Sequence, residues 1–205
     1  MALRNLSDLE LLDILKAYNK SYFTVADFEK IFNFSGNSLS VTISRLYKKG
    51  LINKIFYNVY VIRDTPINID SIINELFYPS YISFESALFR YGILSQAPFT
   101  ITFAWKRRSK KINLAGTEVV LRKIKPELFF GYSNLAGVNI AIPEKALMDM
   151  IYYQSKGLSN IKFSELSLPN INKDKFIEIS KSYPKNLSCE VNEIAKAIGI
   201  NNISV

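Results

Sequence analysis

From Ser35 to Ile62 the chain reads SGNSLSVTISRLYKKGLINKIFYNVYVI, and its apolar residues change partway from a helical period to a strand-like run. With 3.6 residues per turn, Leu39, Ile43, Leu46 and Tyr47 fall on one stripe, which must face a core. Val41, Ser44, Arg45 and Lys48 then point away from it, with Ser38 and Lys49 at the flanks. Small hydroxyl side chains such as Ser38, Thr42 and Ser44 let a backbone approach a groove closely, while Arg45, Lys48 and Lys49 supply charge for base edges or phosphates. Gly50 stands where a helix ends on a left-handed residue. Beyond it, Leu51 to Phe56, including Lys54, and Val59 to Ile62 are rich in β-branched and aromatic residues, with Tyr57 and Asn58 available for the turn. The segment reads as a recognition helix followed by a short β-wing; the plainer reading is an amphipathic helix and a hairpin in any α+β core.

The residues upstream favour the first reading. Leu6, Ser7, Glu10 and Leu11 match a capping box with its hydrophobic staple, which predicts a helix from Ser7 to about Tyr18. Thr24 with Asp27 three residues on predicts a second, with Phe28, Ile31 and Phe32 as its apolar stripe. The Asn33 to Asn37 connection contains Gly36, which suits the sharp turn of a helix-turn-helix. Helix, helix, recognition helix and two strands is the winged-helix order, in which the third helix enters the major groove.

The 205 residues suffice for one large or two small domains of ordinary globular composition. No apolar run approaches the roughly 20 residues of a membrane span, and the N-terminus lacks the apolar core of a signal peptide, so cytoplasmic residence is expected. With one cysteine, Cys189, and no histidine, the usual imidazole and thiolate metal sites and any histidine-based triad are excluded. No metal, cofactor or catalytic site is expected. The net charge of +8 favours a polyanionic partner, and its distribution says more than its size. Residues 1–79 carry nine Lys or Arg against eight Asp or Glu, yet between positions 30 and 63 Arg45, Lys48, Lys49 and Lys54 face no acid. Residues 80–205 hold the other 17 basic and 10 acidic side chains, with the excess concentrated between Trp105 and Lys125.

Arg63 to Ile69 has no periodicity and contains Pro66, which places a domain boundary between residues 1–66 and 67–205. Downstream, Asp70 and Ser83 are candidate caps of two short helices, the first stopped by Pro79 and the second by Gly92. Phe99 to Trp105, Thr117 to Ile124, Leu128 to Tyr132 and Val138 to Ile142 read as strands, the first two joined by a basic connection from Lys106 to Gly116. Pro143 starts a helix with Ala146, Leu147, Met150 and Ile151 as its stripe, and Asn172 and Ser188 are candidate caps of two last helices, the second ending at Gly199. The fold class is α+β: an N-terminal winged helix-turn-helix domain, then a mixed α/β domain.

YISFESALFRYGIL from Tyr81, ITFAWKRRSKK from Ile101, KIKPELFFGYS from Lys123 and VNIAIPEKALMDMIYY from Val138 together resemble the AbiEi family of antitoxins. The clearest element is the IAIPEKALMD run from Ile140 to Asp149, and the order of an N-terminal winged helix before this stretch also fits. The resemblance implies a transcriptional repressor and antitoxin of a type IV toxin–antitoxin, or abortive-infection, pair. Such an antitoxin represses its own operon through inverted repeats in duplex DNA and counters a nucleotidyltransferase-like toxin without forming a stable complex with it. A free-standing winged-helix regulator with a ligand-sensing domain, and an antitoxin that neutralises by direct protein binding, are the alternatives.

Arg45 is the candidate base reader and Lys48 and Lys49 are candidate phosphate holders; a solvated helix face is the competing reading. Lys106, Arg107, Arg108, Lys110 and Lys111 put five cations in six positions, which repel one another unless solvated or matched by an anion. Trp105 and Tyr132 add aromatic rings beside that charge, as nucleic-acid binders use; an exposed hairpin tip is the plain alternative. Glu144, Lys145 and Asp149 imitate an acid/base group, but at helical spacing Glu144 suits the positive helix end and Lys145 pairs with Asp149. Gly131-Tyr132-Ser133 is similar to the glycine-serine start of nucleotidyltransferases, but the paired aspartates that would hold metals do not follow, so no enzyme is expected. Nothing in the pattern separates a monomer from a homodimer.

Overall fold

The computed structural model describes residues 6–159 and 161–200. The chain forms two compact units, Met1–Ile72 with Asn113–Gly116, and Ile73–Ile112 with Thr117–Val205. The division falls inside a helix, after Ile72, and not in the irregular stretch around Pro66.

The first unit contains α1 (Asp8–Ala17), β1 (Phe23–Thr24), α2 (Val25–Phe32), α3 (Gly36–Lys48), β2 (Ile52–Phe56) and β3 (Val59–Ile62). Two reciprocal capping boxes start the first two helices. Glu10 N–H donates to Ser7 Oγ at 3.3 Å while Ser7 N–H donates to Glu10 Oε2 at 2.7 Å. Thr24 and Asp27 repeat the device at 3.2 and 2.8 Å. Each box satisfies two backbone donors that a helix start otherwise leaves open. α2 ends on Asn33, and α3 opens on Gly36 at φ +64, a left-handed conformation that glycine adopts without steric cost.

The strands form a three-stranded sheet in the order β1-β3-β2, all antiparallel, with Ile52 opposite Ile62 and Phe23 opposite Tyr60. Leu11, Leu15, Phe28, Phe32, Leu39, Ile43, Leu46 and Ile52 close one core between helices and sheet. A run of rings fills its centre, with Phe23, Phe28, Phe32 and Phe34 stacked in sequence at 5.6–5.8 Å between centroids.

The second unit is built on a six-stranded sheet of order β6-β7-β5-β4-β9-β8. Its elements are α4 (Ile69–Leu76, shared across the division), β4 (Ser80–Ile82), α5 (Phe84–Arg90), β5 (Ile101–Trp105), β6 (Lys110–Leu114, also shared across the division), β7 (Thr117–Lys123), β8 (Tyr132–Leu135), β9 (Val138–Ala141), α6 (Pro143–Gln154), α7 (Lys173–Ser180) and α8 (Ser188–Ala197). β5 runs parallel to β7 and β4 parallel to β9, while β4–β5 and β8–β9 are antiparallel. Every residue of α6 from Glu144 to Tyr153 is buried, so the helix is central and not a surface amphipath with one stripe.

Several local expectations change, among them the Ser83 side chain, which makes no cap bond to α5. The strand expected over 128–132 is replaced by a 3-10 turn, Pro126–Leu128, and by β8 starting at Tyr132. Asn134 Oδ1 accepts the Gly137 N–H at 3.1 Å and closes the β8–β9 hairpin farther on. The expected basic connection contains a strand, β6. Asn68, not Asp70, caps α4, accepting from Ser71 N–H at 3.1 Å, and α8 begins at Ser188 without a side-chain cap and ends at Ala197. Asn172 does cap α7, accepting from Lys175 N–H at 3.0 Å.

Candidate nucleic-acid interface

α3 turns Leu39, Thr42, Ile43 and Leu46 inward and leaves Ser38, Val41, Ser44, Arg45, Lys48 and Lys49 exposed. Thr42, expected on the groove-facing side, is only 8% exposed, and Tyr47, expected in the core, is 51% exposed. The two flank the stripe through Leu39, Ile43 and Leu46 at similar angles of about 70°, so helical period alone does not choose between them. Packing does: the smaller threonine takes the close approach to the core. Tyr47 instead lines a groove of about 390 Å³ with Val25, Ser40, Ile43, Ser44, Lys54, Asn58 and Tyr60, between α3 and the β2–β3 hairpin. Tyr47 and Ser40 are thus surface residues that the pattern did not single out.

The hairpin turn is Tyr57-Asn58, with Asn58 at φ +56 and the Tyr57 ring 75% exposed. Lys54 Nζ lies 6.0 Å from the centre of that ring. The cation of the hairpin is therefore on a strand and leans toward the tip.

The α3 cations are not unopposed. Asp8, in the first turn of α1, places Oδ1 2.7 Å from Arg45 Nε and accepts a hydrogen bond from Lys49 Nζ on Oδ2 at 2.5 Å. The bond from Lys49 and the charge of Arg45 hold the Asp8 carboxyl below its ordinary range, outweighing the effect of burial. Charge counting along residues 30–63 misses this acid because it arrives from another helix, and Lys49 is engaged with it and not held free for a phosphate.

In the second unit the five-cation cluster is divided among different tasks. Lys106, Arg107 and Arg108 are exposed in the turn after β5, whereas Lys110 and Lys111 stand on β6, at one edge of the sheet. Lys106 Nζ sits 4.8 Å from the Phe129 ring centre, and Lys110 Nζ sits 4.1 Å from Phe77 and 5.2 Å from Trp105. Burial among these rings, with help from Arg107, lowers the pKa of Lys110. Lys111 pairs with Glu118 at 3.3 Å. Trp105, expected beside the charge as a stacking ring, is 7% exposed and so is closed to a base. Tyr132 is 38% exposed and stacks on Tyr81 at 4.7 Å and 11°.

The IAIPEKALMD run contributes a buried polar cluster. Lys145 and Asp149, four residues apart on α6, form an ion pair with both side chains fully buried. Tyr81 OH and Tyr183 OH each accept from Lys145 Nζ, at 3.0 and 2.7 Å, and each donates to Asp149, at 3.1 and 2.6 Å. Ser83 Oγ donates to Asp149 Oδ2 at 2.7 Å. Burial lowers the pKa of Lys145 against the pull of Asp149, and burial beside Asp149 raises both tyrosines well above their ordinary value. Glu144 accepts the Asn172 N–H at 2.7 Å and ties α6 to the start of α7. The spacing of Lys145 and Asp149 was legible as a pair, but the burial that makes it matter was not.

Gly131 packs on this cluster. At φ +70, a Cβ there would lie 3.1 Å from Lys145 Cγ. Gly131→Ala should therefore lower the stability of the second unit by about 1–2 kcal/mol from the left-handed backbone alone, with crowding added. The urea midpoint read from the fluorescence of Trp105, the chain's one tryptophan, checks this; an unchanged midpoint contradicts the geometry.

No family model matches the chain, and no curated protein matches it. The fold has solved counterparts. The chain is similar to the crystal structure of the RV2827C protein from Mycobacterium tuberculosis, with a TM-score of 0.63 and 13% identity, over 93% of this chain and 76% of that one. At that identity the likeness establishes a shared mixed α and β fold. Among the described residues, no helix is long and apolar enough to cross a membrane.

Proposed function

We propose that this protein is a DNA-binding transcriptional repressor whose first unit is a winged helix-turn-helix, and that it serves as the antitoxin of an AbiE-like type IV toxin–antitoxin pair. The observation that carries the DNA-binding part is the outer face of α3, where Ser38, Val41, Ser44, Arg45 and Lys48 lie exposed side by side on a helix firmly seated by its other face. Hydroxyls and a small apolar side chain permit close approach to base edges, Val41 suits a thymine methyl, and Arg45 and Lys48 match base and phosphate acceptors. Tyr57 and Asn58 at the hairpin tip are uncharged and Lys54 stands on a strand beside them, so in this reading α3 supplies the sequence-reading contacts and the wing supports it. The antitoxin part is supported by the AbiEi resemblance between Tyr81 and Tyr153, whose clearest run contains the buried Lys145–Asp149 pair.

Fluorescence anisotropy of a labelled duplex from the region upstream of the coding sequence tests repression. Binding should be saturable, should favour inverted repeats over scrambled duplex, and should weaken with salt at a slope of about −0.9 per phosphate contacted. Equal affinity for scrambled duplex would leave a charged surface without a reader. Co-expression with the product of a neighbouring nucleotidyltransferase-like gene tests antitoxicity: growth restored without co-purification supports the proposal, and stable co-purification supports neutralisation by direct binding.

The second basic patch belongs to the antitoxic or nucleic-acid-binding task in this reading. Changing Lys106, Arg107, Arg108, Lys110 and Lys111 together to Gln should reduce nucleic-acid affinity by about tenfold or more at low salt, or abolish growth rescue. If repression and rescue both survive, the lysines of β6 serve only to keep a sheet edge from pairing with other chains.

A further inference from the structure

We infer that Asp8 is a positioning residue that orients Arg45 toward guanine and thereby sets a base preference in the DNA that α3 contacts; this deepens the groove-reading proposal and rests on it. The Asp8 side chain is 12% exposed, whereas Arg45 and Lys49 are 44% and 59% exposed. One acid thus stands behind two cations that reach outward. Its two oxygens serve different partners: Oδ1 faces Arg45 Nε at 2.7 Å and Oδ2 takes the Lys49 hydrogen bond at 2.5 Å. A carboxylate that gripped the guanidinium in fork-to-fork fashion would spend both oxygens on it. Here the close approach is an ion pair at Nε, and the side chain, 44% exposed, leaves the guanidinium reachable by a second acceptor pair.

Guanine presents such a pair, O6 and N7, in the major groove, whereas adenine puts a donor in place of O6. A guanidinium already held at Nε loses less freedom when it docks, and it is rigid enough to be selective. Asp8 also acts against the wrong partner. Its negative charge behind Arg45 and Lys49 reduces their pull on phosphate, so affinity for arbitrary duplex falls while a base-edge acceptor pair is still rewarded. Lys48, outside this arrangement, is the residue of α3 left to hold a phosphate.

Selection of binding sites from a random duplex library, run in parallel with wild type, Arg45→Ala and Asp8→Asn, tests the inference. Wild type should enrich a motif containing a guanine whose preference falls about tenfold in both variants, while preferences at other positions persist. Asp8→Asn should also bind unselected duplex more tightly than wild type at low salt, and Asp8→Glu should recover part of the guanine preference. A purely structural role for Asp8 would instead lower the thermal midpoint and weaken all duplexes alike. If Arg45→Ala loses the guanine and Asp8→Asn keeps it, the positioning role is overturned while groove reading stands. If wild type enriches no motif, groove reading itself fails and this inference with it.

Discussion

Lys145→Met is expected to destabilise the second unit by about 3–5 kcal/mol, because it leaves the fully buried Asp149 carboxylate without its cation. The remaining partners of Asp149, the hydroxyls of Tyr81, Tyr183 and Ser83, are neutral donors and cannot balance its charge in a low-dielectric interior. Asp149→Asn should cost less, since its amide oxygen can still accept from Tyr81 and Ser83 while the amide NH2 takes the place of Oδ1 and donates to the Tyr183 hydroxyl, though Lys145 is then forced toward its neutral form. The double variant Lys145→Met with Asp149→Leu removes both charges and should recover much of the loss. It should not exceed wild type, because three hydroxyls lose their acceptor. Urea unfolding followed by Trp105 fluorescence reads the second unit directly. A Lys145→Met midpoint equal to wild type would mean that the pair is solvated.

Arg45→Ala carries the second large effect, a loss of roughly 1–3 kcal/mol in binding to the preferred duplex with relaxed preference at one base position. The loss should fall mainly on specific binding. Removing Arg45 also releases Asp8 to face Lys49 alone, so part of the affinity for arbitrary duplex should fall as well, but by less. Lys48→Ala should behave differently: it weakens all duplexes alike and makes the salt slope shallower by about 1. Two variants with the same profile would contradict the division into reader and phosphate holder.

Local chemistry was the most legible part of this chain. The capping boxes at Ser7–Glu10 and Thr24–Asp27 bring together residues three apart, so the pattern contains the whole interaction. The same holds for the hairpin from Ile52 to Ile62 and for the helix that begins at Pro143. What the pattern could not supply is which surfaces meet. β6 is an edge strand reading KKINL, and its paired lysines disguise it as a connection. Lys145 and Asp149 look like an ordinary surface pair until Tyr81 and Tyr183, 64 and 38 residues away from Lys145, cover them. Asp8 and Lys49 are 41 residues apart, and no period or spacing connects them. Thr42 and Tyr47 exchange places for the same reason, since equal angles leave the choice to tertiary packing.

Protection of guanine N7 from dimethyl sulfate along the upstream region reports major-groove contact by α3 base by base. Wild type should protect guanines at matching positions in both arms of an inverted repeat, and Arg45→Ala should lose that protection while Lys48→Ala retains it at saturating protein. A wild-type protein that protects no guanine, or an Arg45→Ala variant with the same footprint, would contradict the account of α3 as the helix that reads DNA.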